Sequence, residues 1–308
     1  MSVALFTHPA VLAHDTGLGH PECADRIRYL LRALEAPEFS VLLREQAPMA
    51  PVEALVPAHT QAFVDSILAL SQDRTTYIDG DTVFSPGTLE AVLRGAGAAM
   101  AAVDAVMEGW AKAAFCAMRP PGHHAESERA MGFCVFNNAA VAAYHARSRW
   151  GLRRIAVVDF DVHHGNGTQD IFWPEAELFY GSSHQSPCYP GSGAVQERGV
   201  SGNIVNAPLA PGSGGVEFRA AWEGRIIPAL DAFKPELLII SAGFDAHEAD
   251  PLAQLRLHEA DFTWITQALL AVADTHCPDR VVSLLEGGYN LDALASSAAA
   301  HVRALMRL

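Results

Sequence analysis

Ile155-Ala-Val-Val-Asp-Phe-Asp-Val-His-His-Gly-Asn-Gly-Thr168 is the stretch on which the reading of this chain turns. It opens as a short apolar run and ends in ionisable residues and glycines. Asp159, Asp161 and His163 stand at spacing i, i+2, i+4, and in an extended chain alternate side chains share a face. Two carboxylates and an imidazole in one row make poor core and a good start on a metal site. The run Ile155–Val158 in front of them has no polar alternation, as expected of a strand covered on both faces.

Five more runs read the same way: Val3–Phe6, Ala113–Ala117, Leu178–Tyr180, Leu237–Ser241 and Val281–Leu285. Helical patterns lie between them, at Glu22–Leu34, Thr60–Leu70, Pro86–Met107, Asn137–Arg149, Val216–Phe233, Glu259–Thr275 and Leu291–Arg307. Strand and helix in alternation predict an α/β domain with a mainly parallel central sheet. Ligands of such sheets sit outside the carboxyl ends of the strands. Four of the predicted strands end in chemistry-bearing loops: Arg119-Pro-Pro-Gly-His-His124, the Asp159–Thr168 segment, Ala242-Gly-Phe-Asp245 and Glu286-Gly-Gly-Tyr-Asn290.

Half of the 308 residues are hydrophobic, which is ample for a buried core. Neither a repeat nor a linker divides the chain, so residues 1–308 read as one domain. A net charge of -14 argues against nucleic-acid and anionic membrane surfaces, which need clustered Lys and Arg. No apolar run is long enough to span a bilayer, and the first residues lack the basic region of a signal peptide. The five cysteines are scattered with no C-x-x-C pair, as expected of reduced thiols in a cytoplasmic protein. Oligomeric state is not written in these features.

A catalytic zinc ion takes three protein ligands and keeps one position open. Asp161 and His163 offer two, and Asp245, after another buried strand, offers the third; an Asp there could equally cap a helix. Two oxygens and one nitrogen form a fairly hard set, open to Fe²⁺, Co²⁺ or Mn²⁺ as well as Zn²⁺. His123 and His124, adjacent in a Pro-Gly loop, suit acid–base work beside a metal, or else are simply solvated. Asp159 and Asn166 are candidate partners, and an anionic partner favours imidazolium where a neutral amide does not. Tyr289, after two glycines, could swing a phenol over a carbonyl oxygen and stabilise an oxyanion.

Together these motifs, with Gly19-His-Pro-Glu22, Arg26-Ile-Arg28 and Gly132-Phe-Cys-Val-Phe-Asn-Asn138, resemble the histone deacetylase superfamily over nearly the full chain. Asn166 and Glu286 make it similar to the class II branch and its bacterial relatives. The resemblance implies a three-layer α/β/α arginase–deacetylase fold and zinc held by Asp161, His163 and Asp245. It pairs His123 with Asp159 and His124 with Asn166, and gives Tyr289 the scissile carbonyl. It assigns Gly132, Phe133 and Tyr189 to the wall of an acyl-lysine tunnel and Arg26 to an internal acetate channel. It also implies structural K⁺ or Na⁺. One such site uses carbonyls of Asp159, Asp161 and His163 with Ser182, and a second lies near Phe172, Leu178 and Asn203.

The expected activity is therefore hydrolysis of an N-acylated amine, either acyl-lysine in a peptide or an acetylated small amine such as a polyamine. A non-catalytic acyl-amine binding module would tolerate loss of a ligand or of Tyr289, and neither is lost. An arginase-like enzyme would want more Asp ligands for two Mn²⁺ ions. The class II polyamine deacetylase places a Glu seven residues after the third zinc ligand, where this chain has Leu252. An aliphatic residue there offers no ion pair to a polyamine, which favours acyl-lysine, though Glu248 and Asp250 in the same loop could substitute for the Glu.

Overall fold

The computed structural model describes residues 1–308. In chain order the strands are β1 (Val3–Thr7), β2 (Leu43–Gln46), β3 (Thr76–Tyr77), β4 (Val83–Phe84), β5 (Ala113–Cys116), β6 (Ile155–Asp159), β7 (Leu178–Gln185), β8 (Ile204–Leu209), β9 (Leu237–Ala242) and β10 (Val281–Leu285). The helices are α1 (Asp25–Ala33), α2 (Gln61–Leu68), α3 (Thr88–Glu108), α4 (Asn138–Trp150), α5 (Asn166–Phe172), α6 (Gly215–Ala221), α7 (Ile227–Phe233), α8 (Glu259–His276) and α9 (Leu291–Leu305).

Eight strands form one sheet in the order β2-β1-β5-β10-β9-β6-β7-β8, and every pairing is parallel. A parallel sheet needs both faces covered, and the helices form two sets: α3 packs on α4, while α1, α9, α8 and α7 pack in succession. The central strands β5, β6, β9 and β10 are buried at every position, which is why they are continuous apolar runs. From β6 the chain steps outward through β7 to β8, then returns to β9 and continues the other way to β10. The topological switch point thus lies between β6 and β9, where an open α/β sheet leaves a crevice for ligands.

The two outermost strands escape the sequence pattern. β2 is Leu-Arg-Glu-Gln and exposed throughout. β8 carries Asn206 and Pro208, and proline is tolerated on a sheet edge because one side of the strand has no partner. The expected helix Val216–Phe233 is broken into α6 and α7 by a wide turn at Trp222–Ile226. Pro228 brings no N–H to the carbonyl of Gly224, so regular helical bonding cannot run through this point.

Candidate active site

The site grows from the ends of β6 and β9. The expected row of alternating side chains stops at Asp159, because β6 ends there and the chain turns. Two successive Asp turns replace the strand: Asp159 Oδ1 accepts from the N–H of Asp161 at 3.1 Å, and Asp161 Oδ1 from that of His163 at 2.9 Å. Asp245 does not cap a helix; its Oδ1 accepts from the N–H of Val162 at 2.8 Å and ties the two strand ends together. His163 Nδ1 then lies 3.2 Å from Asp161 Oδ1 and 3.1 Å from Asp245 Oδ2. Tetrahedral zinc with bonds of about 2.0–2.1 Å separates its ligand atoms by roughly 3.3 Å, so this donor set fits a divalent ion. Burial and the Asp161 charge push the Asp245 carboxyl up to about 7, as befits two acids gathered where a cation can neutralise them.

Glycine backbone closes the cluster from behind. The N–H of Gly287 donates to Asp161 Oδ2 at 2.8 Å. A Cβ on Gly243 would stand 2.0 Å from Asp161 Oδ2, and one on Gly287 would stand 2.0 Å from Asp245 Oδ2.

His123 and His124 are buried, not solvated, with rings 4.0 Å apart. Glu286 holds their loop: Oε2 accepts from the N–H groups of Gly122 (2.7 Å) and His123 (3.1 Å), and Oε1 from the Ser241 hydroxyl (2.9 Å). His123 Nδ1 meets Asp159 Oδ2 at 3.0 Å, and the Tyr180 hydroxyl donates to the same oxygen. Burial opposes a charge on His123, but Asp161, Asp159 and Glu286 outweigh it and raise the ring to about 10. His124 Nδ1 meets Asn166 Oδ1 at 2.8 Å. The amide nitrogen of Asn166 donates to Glu126 Oε1 at 2.7 Å, which turns its oxygen toward His124. His124 Nδ1 therefore carries hydrogen and leaves Nε2 with a lone pair. Burial, then the charges on His123 and His163, push His124 well below 6.5.

A pocket of about 260 Å³ opens over these rings, lined by His124, His163, Gly132, Phe133, Tyr189 and Tyr289, with Leu252, Pro21 and Asp81. Gly132 (φ 56°) brings backbone so close that a Cβ would stand 2.6 Å from the His124 ring. Phe133 is itself left-handed (φ 68°), a costly state for a bulky residue, and is tied by its N–H to Thr82 Oγ1 at 3.1 Å. The Tyr289 ring stands 5.8 Å from that of Phe133, and no protein group bonds its hydroxyl. Burial raises the phenol well above 10; Arg26 pulls the other way, and Asp245 and Asp161 push with burial. Tyr289 thus keeps its proton. Its backbone N–H donates to Asp250 Oδ2 at 2.7 Å, and Asn290 next to it caps α9.

A family described as the histone deacetylase domain matches residues 20–305. The chain belongs to the histone deacetylase family. It is 39% identical to the histone deacetylase-like amidohydrolase of Pseudomonas aeruginosa, over 88% of this chain and 73% of that protein. It is also 39% identical to a probable deacetylase of Methanothermobacter thermautotrophicus, over 93% of this chain and 86% of the relative. The crystal structure of the HDA15 HD domain superposes with a TM-score of 0.94 at 34% identity, covering 99% of this chain and 90% of that one. The chain is thus a deacetylase-family hydrolase, and acetylated amines are the family's substrates. No helix is long and apolar enough to cross a membrane.

Other parts of this deacetylase sit as follows. Arg26 is fully buried under the Tyr289 loop, donating to the carbonyls of Gly288 (2.7 Å) and Glu286 and to Glu22 Oε1 (3.1 Å). Ser182 Oγ lies 2.9 Å from His184 Nδ1, and the carbonyls of Asp161 and His163 accept no hydrogen bond within the protein, a donor set that fits a monovalent cation. Around Phe172, Leu178 and Asn203 the carbonyls are already engaged by the Asn203 side chain. Asp81 is the pocket residue that sequence reasoning missed. It lies between β3 and β4, strands of two residues each, too short to show any periodicity. The anchoring parts of Glu126 and Asp250 were equally invisible, because each acts through a contact distant in sequence or through backbone N–H groups.

Proposed function

We propose that this deacetylase hydrolyses the side-chain amide of N-acetyl-lysine in peptides and releases acetate, with residues 1–308 acting as one catalytic domain. The observation that carries the reading is His124: Asn166 engages one ring nitrogen, while the ring lines the same pocket as His163 and Tyr289. Asp161, His163 and Asp245 would hold the divalent ion, Zn²⁺ or alternatively Fe²⁺ or Co²⁺. When bound, such an ion supplies Lewis acidity toward a carbonyl and toward water.

The side chains do the rest. Water adding to the acyl carbon loses its proton to His124 Nε2. The Tyr289 hydroxyl donates to the oxygen that gains charge. His123, held cationic by its carboxylate neighbours, contributes positive charge without giving up its proton. His124 then passes its proton to the leaving amine as the C–N bond breaks. Phe133 and Tyr189 flank an alkyl stem, and Arg26 steadies the loop that carries Tyr289. K⁺ or Na⁺ at the carbonyls beside Ser182 would brace the Asp161–His163 turn. Five unpaired cysteines, three of them buried, suit a reducing compartment such as the cytoplasm.

Asp81 gives a second reading its one specific support. A carboxylate in the pocket can pair with the extra ammonium of an acetylated polyamine, or accept from a peptide N–H. The experiment is a panel of acetyl-lysine peptides, longer acyl-lysines and acetylpolyamines compared by kcat/KM, with the Asp81→Asn variant alongside. An amide still accepts from a peptide N–H but forms no ion pair. Peptides should be the better substrates and lose little in the variant. A ten-fold wild-type preference for acetylpolyamines, about 1.4 kcal/mol, that collapses in Asp81→Asn would replace the first reading with the second.

A further inference from the structure

Three backbone carbonyls converge where α5 leads into β7. Those of Phe172, Glu175 and Leu178 lie 2.9, 3.1 and 2.9 Å from a single atom, Nδ2 of Asn203. The orientation of that amide is fixed from its other end, where Oδ1 accepts from the N–H of Ser201 at 3.4 Å. Reversing the amide would set an oxygen against three carbonyl oxygens and leave the Ser201 N–H facing an NH₂ group. Asn203 is buried, and its own carbonyl accepts from the N–H of Tyr180 at 2.9 Å.

A ring of carbonyls around one point is how proteins replace the hydration shell of a monovalent cation. The family resemblance implies such an ion at Phe172, Leu178 and Asn203. The residues present do not fit it, because the point between the carbonyls is held by an amide nitrogen within hydrogen-bond distance of all three. We infer that in this chain the Asn203 amide stands in for the monovalent cation at the Phe172–Leu178 turn, so that this corner of the fold needs neither K⁺ nor Na⁺. The NH₂ group supplies two donors and partial positive charge toward three buried carbonyls, two of which, those of Phe172 and Glu175, also accept from the N–H groups of Glu175 and Leu178 at 3.0 Å. Gly199 completes the arrangement. It is left-handed (φ 66°), and a Cβ there would stand 2.4 Å from Asn203 Oδ1, so only glycine lets the chain close over the amide.

The contrast with the carbonyls of Asp161 and His163, which accept no hydrogen bond, sets the form of the test. Any K⁺ response of the wild type belongs to that other place, so the two must be resolved in space. Crystals of the wild type and of Asn203→Ala are grown in RbCl, and anomalous scattering locates Rb⁺. The expected result is no peak among the carbonyls of Phe172, Glu175 and Leu178 in the wild type, and a peak there in Asn203→Ala. In solution, KCl replacing tetramethylammonium chloride at equal ionic strength should raise the Tm of Asn203→Ala by roughly 2–4 °C more than that of the wild type. Rb⁺ at these carbonyls in the wild type, with Asn203 displaced, would overturn the inference even if the variant failed to fold. A folded variant with neither a peak nor an added K⁺ response would overturn it as well.

Discussion

His123 and His124 are neighbours to which the proposed mechanism gives opposite tasks, and the difference lies in one atom of each partner. Asp159 gives His123 a charged acceptor, whereas Asn166 gives His124 a neutral one. His124→Ala removes both the base and the acid and should cost more in kcat than His123→Ala; the reverse order in steady-state kinetics would refute this division of roles. Tyr289→Phe removes one oxyanion donor and should lower kcat on the order of a hundred-fold, with little change in KM. Asn166 works only in one orientation, and Glu126 sets it. Glu126→Ala should therefore lower kcat several-fold while KM holds, and Glu126→Gln, which still offers an acceptor, should recover most of the rate. Equal rates in all three proteins would mean that Asn166 needs no anchor. Asp245→Ala should strip most of the bound divalent ion, measured by elemental analysis, while circular dichroism keeps its native form. Full metal content would remove Asp245 from the ligand set.

At the scale of elements, the candidate site was legible wherever a polar residue interrupts an apolar run. Asp159, Asp161, His163 and Asp245 stand at the ends of strands that nothing else in the sequence imitates, and the His-His pair follows β5 in the same way. The pocket rim was less legible. Asp81 belongs to the β3–β4 hairpin, a segment with no hydrophobic period to place it in space, whereas Leu252, in the loop between β9 and α8, was placed only by its distance from Asp245 in the family pattern. β2 and β8 were missed because an outer strand need not be apolar on both faces. The turn at Asp161 was read as extended because spacing alone does not distinguish a strand from two consecutive Asp turns. The loop with Leu252 makes its own prediction. Leu252→Glu adds a second carboxylate to the pocket that Asp81 lines and should shift kcat/KM toward acetylpolyamines; an unchanged ratio would show that Leu252 does not face the distal end of the substrate.

At the scale of the whole molecule, the switch point joins candidate metal ligands 82 residues apart in the chain, His163 and Asp245, so the cluster exists only when β6 and β9 are paired. Global stability is then a condition of activity, and a core histidine is among the groups that tie it to pH. His301 is fully buried between the hydroxyls of Thr266 (2.6 Å) and Ser283 (2.8 Å), and burial pushes it from 6.5 to about 3. The folded state holds this ring neutral while the unfolded chain protonates it below 6.5. Its contribution is complete above pH 6.5 and is lost as pH falls from there toward 3. In urea unfolding from pH 7.5 down to pH 5, the midpoint of the wild type should drop relative to that of His301→Gln, which does not titrate; an identical pH dependence in the two proteins would exclude a contribution from His301. The outer strands carry a different consequence. A sheet open on both sides is a template on which a second chain can add its own strand. Here β2 presents Arg44 and Glu45, and β8 has no N–H at Pro208. Each border resists recruitment of a further strand, so concentrated solutions should stay free of β-rich aggregates, and Pro208→Val together with Arg44→Val should release them, read as a rise in light scattering.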